Sequence, residues 1–150
     1  MNEIKFDGEP DAWIDALDPH QANSVRQMLA AGQSPDDAAL NWLTKASPED
    51  VANFGGASGP RLYYERVMDE LRKLICGGDP SYDKLRKDIS ALVEQHKGEV
   101  VGMITASLGA SVGLSAAVLA PVVAIVLSLV TEVGVNAWCK MPVSKEEAPA

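Results

Sequence analysis

The chain has 150 residues, with 21 acids against 13 bases and a formal charge of −8. That balance argues against nucleic acid as a partner, and the length allows one small domain plus an appendage. The charge is uneven: residues 1–60 hold ten acids against Lys5, Arg26 and Lys45, whereas residues 61–99 hold eight of each sign. An acidic amino-terminal part does not lie flat on anionic lipid but leaves a face for a protein partner.

The opening MNEIKFDGEPDAW has neither the basic nor the apolar region of a cleavable signal peptide, so the expectation is that the first part of the chain stays in the cytoplasm. Asp11 to Leu17 predicts a short helix burying Trp13, Ile14 and Leu17. Thereafter Asp18-Pro19, Ser34-Pro35, Ser47-Pro48, Gly59-Pro60 and Asp79-Pro80 each place a capping-type residue before a proline. That pairing belongs at the Ncap and first position of a helix, so five helix starts are expected.

The helix after Asp18 carries Val25, Met28 and Leu29 inward and stops at Gly32. The next turns Ala39, Leu40, Trp42 and Leu43 to the core. A short one from Ser47 ends at Gly55-Gly56, and FGGASGP (residues 54–60) reads as a hinge, since no phosphate-loop lysine follows it. From Pro60 to Cys76, Tyr64, Met68, Leu71 and Ile75 form a stripe broadened by Tyr63, Val67 and Leu74. Gly77-Gly78 ends that helix. Ser81 to Lys97 follows, with Tyr82, Leu85, Ile89, Leu92 and His96 inward, in phase with Val100 and Met103.

From Val100 through Thr131 there are 32 residues without a charge. About 18 apolar residues suffice to suggest a transmembrane helix, so this stretch is expected to enter lipid. The half from Val112 to Thr131 is dense in Val, Leu, Ile and Ala; the half from Val100 to Ser111 is interleaved with Gly, Ser and Thr and needs a partner helix. Proline opens a helix readily and disrupts an interior turn. A hairpin turning near Pro121, or one long span kinked there, therefore fits the length.

Within this stretch Gly102, Ala106, Ala110, Gly113, Ala117, Ala120, Ala124 and Ser128 recur at steps of three or four, and Gly109 with Gly113 forms GxxxG. Small residues so spaced let membrane helices approach closely. Ser128, Glu132 and Asn136 recur every fourth residue on one face. In a hairpin Glu132 falls near the bilayer centre, where a carboxylate costs about 2.5–3.5 kcal/mol and must face protein or water. The three are candidate pore-lining or interface residues. In a single span Glu132 is merely solvated and Trp138 anchors the headgroup region. Ser107, Ser111 and Ser115 are expected to bond back to their own helix.

Chemistry-bearing patterns are missing. His20 and His96 stand on different predicted helices, without CxxC, HExxH, a Walker lysine or a nucleophile elbow. No enzyme, cofactor or metal site is expected. Cys76 and Cys139 lie in different regions and read as reduced thiols.

The sequence thus predicts an all-α protein of three parts: an acidic soluble helical domain (1–97), a hydrophobic membrane-inserting segment (98–139) and a disordered polar tail (140–150). The expected function is that of an integral membrane protein whose cytoplasmic domain senses or binds a partner. Its arms, assembled as a homo-oligomer in the lipid bilayer, form or perturb a membrane path. The alternatives are a membrane-tethered adaptor and a soluble helical protein that buries its apolar hairpin.

Overall fold

Proline decides where the amino-terminal helices begin. The computed structural model describes residues 4, 6, 8–46 and 59–141. Within them α1 spans Asp11–Asp15, α2 Pro19–Ala30 and α3 Pro35–Ala46. Then come α4 (Gly59–Cys76), α5 (Asp83–Leu92), α6 (Lys97–Val112), α7 (Ala116–Val133) and α8 (Val135–Lys140). The chain is all-α, with no strand among the described residues.

Pro19 and Pro35 each open a helix as predicted, the helix expected at Pro60 starts at Gly59, and Pro80 opens a 3-10 turn (Pro80–Tyr82) that leads into α5. The Ser34 hydroxyl accepts the Asp37 amide at 3.1 Å, and the Asp79 carboxylate accepts that of Ser81 at 3.0 Å. Each cap satisfies an amide that the first turn leaves without a helical partner. The start at Ser47-Pro48, most of FGGASGP and residues 142–150 lie outside the described residues, while Lys140, expected to begin the polar tail, ends α8.

Glycine closes α2 as the sequence implies. Gly32 has φ +93°; its amide donates to Leu29 and the Gln33 amide to Met28, a Schellman motif. After α4, Gly77 and Gly78 also have positive φ, and the buried Arg86 of α5 donates to two carbonyls in the last turn of that helix, Leu74 and Ile75. A cation there meets the negative end of the helix dipole.

The amphipathic faces point where their spacing directs them. Trp13, Ile14, Leu17, Val25, Met28, Leu43, Tyr64, Val67, Leu71, Leu74 and Ile75 are all buried. Those of α1, α2 and α3 bury against α7, which packs with α1, α2, α3, α6 and α8, whereas α4 packs on α3, α5, α6 and α8. Val118, Leu119, residues 121–127 and Val130 of α7 are buried, and each such aliphatic side chain contributes about 1.5–3 kcal/mol relative to exposure. The hydrophobic stretch therefore supplies the centre of one continuous core that includes the amino-terminal helices.

The shared phase of residues 81–103 allows one continuous helix with His96 inward, and the structure departs from it at two points. The helix from Ser81 does not run on into the apolar stretch: α5 ends at Leu92 and α6 starts at Lys97, whose ammonium donates to the Val93 carbonyl at 3.1 Å and sits 5.3 Å above the Trp13 ring. His96 is exposed at the N-cap, 3.7 Å from Glu99, rather than on the inward face.

The cysteines are not free thiols. Cys76 at the end of α4 and Cys139 in α8 form a disulfide across 63 residues, with their Cα atoms 5.8 Å apart. Gly134, at φ +93°, makes this pairing possible by ending α7 and letting α8 turn back beside α4. A loop this long removes about 4 kcal/mol of conformational freedom from the unfolded chain on the entropic account.

Candidate functional site

The segment singled out by its hydropathy is a helical hairpin, α6 and α7, and its turn lies at 113–115. Gly113 takes the left-handed conformation, φ +86°, as the C-cap of α6. Ser115 then caps α7 by accepting the Val118 amide at 3.3 Å, instead of bonding back to its own helix. A Cβ added to Gly109 would meet the Leu114 carbonyl oxygen at 2.9 Å. Both glycines of the GxxxG pair thus serve the turn, one by its backbone angle and the other by close approach.

Pro121 is not the turn; it lies inside α7. Proline offers no N–H to the carbonyl four residues earlier, here that of Ala117. Gln21 Nε2 of α2 donates to that carbonyl at 3.0 Å, and Trp42 Nε1 of α3 donates to the adjacent Val118 carbonyl at 2.8 Å. At the other end the Thr131 hydroxyl donates to Leu127 at 2.8 Å and accepts from Trp13 Nε1 of α1 at 2.7 Å. Three amino-terminal helices thus each supply a hydrogen bond to the apolar one.

The small-residue stripe changes from exposed to buried within α7, after Ala117. Gly102, Ala106, Ala110, Gly113 and Ala117 are exposed, Gly109 and Ala120 are half-buried, and Ala124 is buried. A Cβ at Gly102 or Gly113 would meet nothing within 4 Å. The predicted packing seam is therefore an open face along α6 and the start of α7, not a continuous contact.

The polar stripe is broken as well. Ser128 and Glu132 lie on α7, half-buried and exposed respectively, while Gly134 puts the exposed Asn136 on α8. Residues 128, 132 and 136 do not share one helix.

Only α7, among the described residues, is long and apolar enough to cross a membrane; its 18 residues have a mean hydropathy of 2.3, and half of them are buried inside the protein. The core helix of a water-soluble bundle meets the same criterion. Ending at the turn leaves α6 with 16 residues, about 24 Å at 1.5 Å per residue, short of the ~30 Å hydrocarbon core.

Covering the far half of α7 is α8, six residues long. Trp138 is 1% exposed, with the Arg72 guanidinium 4.8 Å above its ring. Arg72 also donates to the carbonyls of Cys139 and Met141 at 3.4 and 3.1 Å, capping α8. Ile125, Val126 and Leu129 of α7 line, with Trp138 and Arg72, a narrow cavity of about 40 Å³, room for a few waters at most. None of this cover was read from the sequence. Gly134 was its one visible sign, as a helix breaker inside an otherwise continuous apolar run.

The shell is polar on the side of α4. Tyr64 donates to Asp36 of α3, and burial, then that carboxylate, pushes the phenol well above its ordinary range. Tyr82 donates to Glu70; burial and that carboxylate push the phenol up to about 12, and its hydroxyl in turn holds the Glu70 carboxyl below the usual value. These pairs fasten α3 to α4 and α4 to the turn before α5. Among the described residues no three His, Cys, Asp or Glu side chains gather as a metal ion would require.

Comparison with protein-family models, with curated proteins and with solved structures gives no match for this chain.

Proposed function

We propose that this protein is a non-enzymatic, conditionally membrane-active helical bundle. In water it holds α7 inside a shell of amphipathic helices, and at a bilayer it transfers the α6–α7 hairpin into lipid. The observation that carries this reading is the pairing of an 18-residue helix of mean hydropathy 2.3 with a cover of separate short helices. A helix apolar on all sides has two stable surroundings, a protein core or lipid, and the same residues suit both.

In the inserted form the open face of Gly102, Ala106, Ala110 and Ala117 becomes the contact between copies, since small residues favour helix association in membranes. Glu132, near the end of α7, then lies at the lipid boundary or the interface between copies. The Cys76–Cys139 bond supports an oxidising environment for the water-soluble form, because such bonds rarely persist in the cytosol.

A second reading is supported by the bonds from Gln21, Trp42 and Trp13: the bundle is permanently soluble, and its acidic shell recruits another protein. Flotation with phosphatidylcholine vesicles, followed by a carbonate wash, decides between them. Carbonate-resistant flotation and release of an entrapped dye are expected. A protein that stays in the buffer and leaves the dye inside would remove the membrane reading and leave the soluble one.

A further inference from the structure

We infer that the Cys76–Cys139 disulfide is a redox latch: closed, it holds α8 over the far half of α7, and reduction by a thiol releases α8 and opens the apolar helix. The inference concerns regulation of the hairpin and rests, for its consequence at a membrane, on the function proposed above.

Three observations converge on α8. It is a six-residue helix, far shorter than the ~12–15 residues at which an isolated helix becomes even marginally stable in water. It is connected to α7 through Gly134, at φ +93°, a position where the chain swings without side-chain hindrance. What keeps it in place is the disulfide, the buried Trp138 ring and the capping bonds from Arg72.

All three attachments reach α8 from α4 or from the α7 face beneath it. Removing the covalent one leaves a short helix held by the Trp138 ring, the half-buried Val135 and one guanidinium. Ile125, Val126 and Leu129 line one cavity with that ring, so lifting α8 opens this apolar part of the membrane-competent helix.

Cys76 is the more exposed residue of the pair and Cys139 is half-buried, so attack is assigned to Cys76. A thiolate of a dithiol reductant attacks Cys76 Sγ, the Sγ–Sγ bond breaks, and Cys139 leaves as a thiolate that takes up a proton. The second thiol of the reductant then displaces Cys76. The reductant ends as a disulfide, and two electrons and two protons reside on the two cysteines.

The test compares the full-length oxidised protein, the same protein in dithiothreitol, and a variant carrying Cys76→Ser with Cys139→Ser. Amide hydrogen exchange is followed in detergent-free buffer, and dye release from phosphatidylcholine vesicles is followed in parallel. Reduction is expected to accelerate exchange over residues 122–141 at least tenfold more than over α2 and α5. The double variant should behave as the reduced protein without any reductant.

Unchanged exchange in α8 would overturn the latch, and so would equal acceleration in every helix, which is global unfolding. Dye release only after reduction supports latch and membrane reading together. Local release of α8 without dye loss keeps the latch and removes the membrane reading. Equal dye release before and after reduction overturns the latch and leaves the membrane reading standing.

Discussion

Helices α4 and α7 are both 18 residues long, yet they obtain their stability in opposite ways. α4 buries one face, Tyr64, Val67, Leu71, Leu74 and Ile75, and gives the other to charged groups such as Arg66, Asp69 and Lys73. α7 has no charge before Glu132 and is covered by five other helices. An amphipathic helix specifies its own orientation, because only one side is apolar. A uniformly apolar helix does not, and what orients it must come from elsewhere. Here the three bonds from Gln21, Trp42 and Trp13 supply that orientation.

The comparison breaks most visibly by substitution in the core. Leu127 of α7 and Leu71 of α4 are both fully buried, and replacing either with Ala should destabilise the bundle by about 2–5 kcal/mol. Urea denaturation with a far-ultraviolet readout checks this. If Leu127→Ala left the midpoint unchanged while Leu71→Ala lowered it, α7 would be an appendage and not the core.

Next in size is the covalent tie between the two regions. Cys139→Ser should lower stability by about 2–4 kcal/mol under oxidising conditions, and dithiothreitol should then have no further effect. A wild-type melting temperature insensitive to dithiothreitol would remove the disulfide from the account.

Smaller effects sharpen the distinction between a turn glycine and a packing glycine. Gly113→Ala is expected to cost about 1–2 kcal/mol through its left-handed backbone, whereas Gly102→Ala, with a negative φ and open space around it, should be neutral or slightly stabilising through helix propensity. Equal losses at both sites would indicate that the small residues pack against something in the water-soluble form. Gln21→Ala should cost about 0.5–1.5 kcal/mol, the net worth of one hydrogen bond, visible as faster exchange at the start of α7.

The smallest effect is one of pH. Tyr82 is raised from 10 to about 12, so its contribution is complete below pH 10 and disappears as pH climbs towards 12. Glu70 is held below 4.5, so its contribution is complete above that value and is lost as pH falls through the lowered one. Tyr82→Phe should flatten both limbs of the stability profile, and an unchanged alkaline limb would refute the pairing.

Much of the shell was legible because local chemistry sets it. Proline before a helix, Gly32 after one and the spacing of Tyr64, Leu71 and Ile75 are decided within a few residues of chain. The hairpin was legible as a hydrophobic pair but not in its register: Pro121 attracts attention as a breaker, while the donor that makes it harmless, Gln21, lies 96 residues away. The disulfide was hidden for the same reason, since Cys139 reaches Cys76 only after Gly134 has turned α8 back. Glu132 and Asn136 lost their common face at that glycine.

The most direct test of the account is hydrogen exchange on the oxidised, full-length protein in buffer without detergent or lipid. Amides from Val122 to Val130 should be among the slowest in the chain, exchanging only with global unfolding in a monomer. Rapid exchange there, with slow exchange confined to α4 and α5, would mean that α7 is not the core in water and would contradict the account.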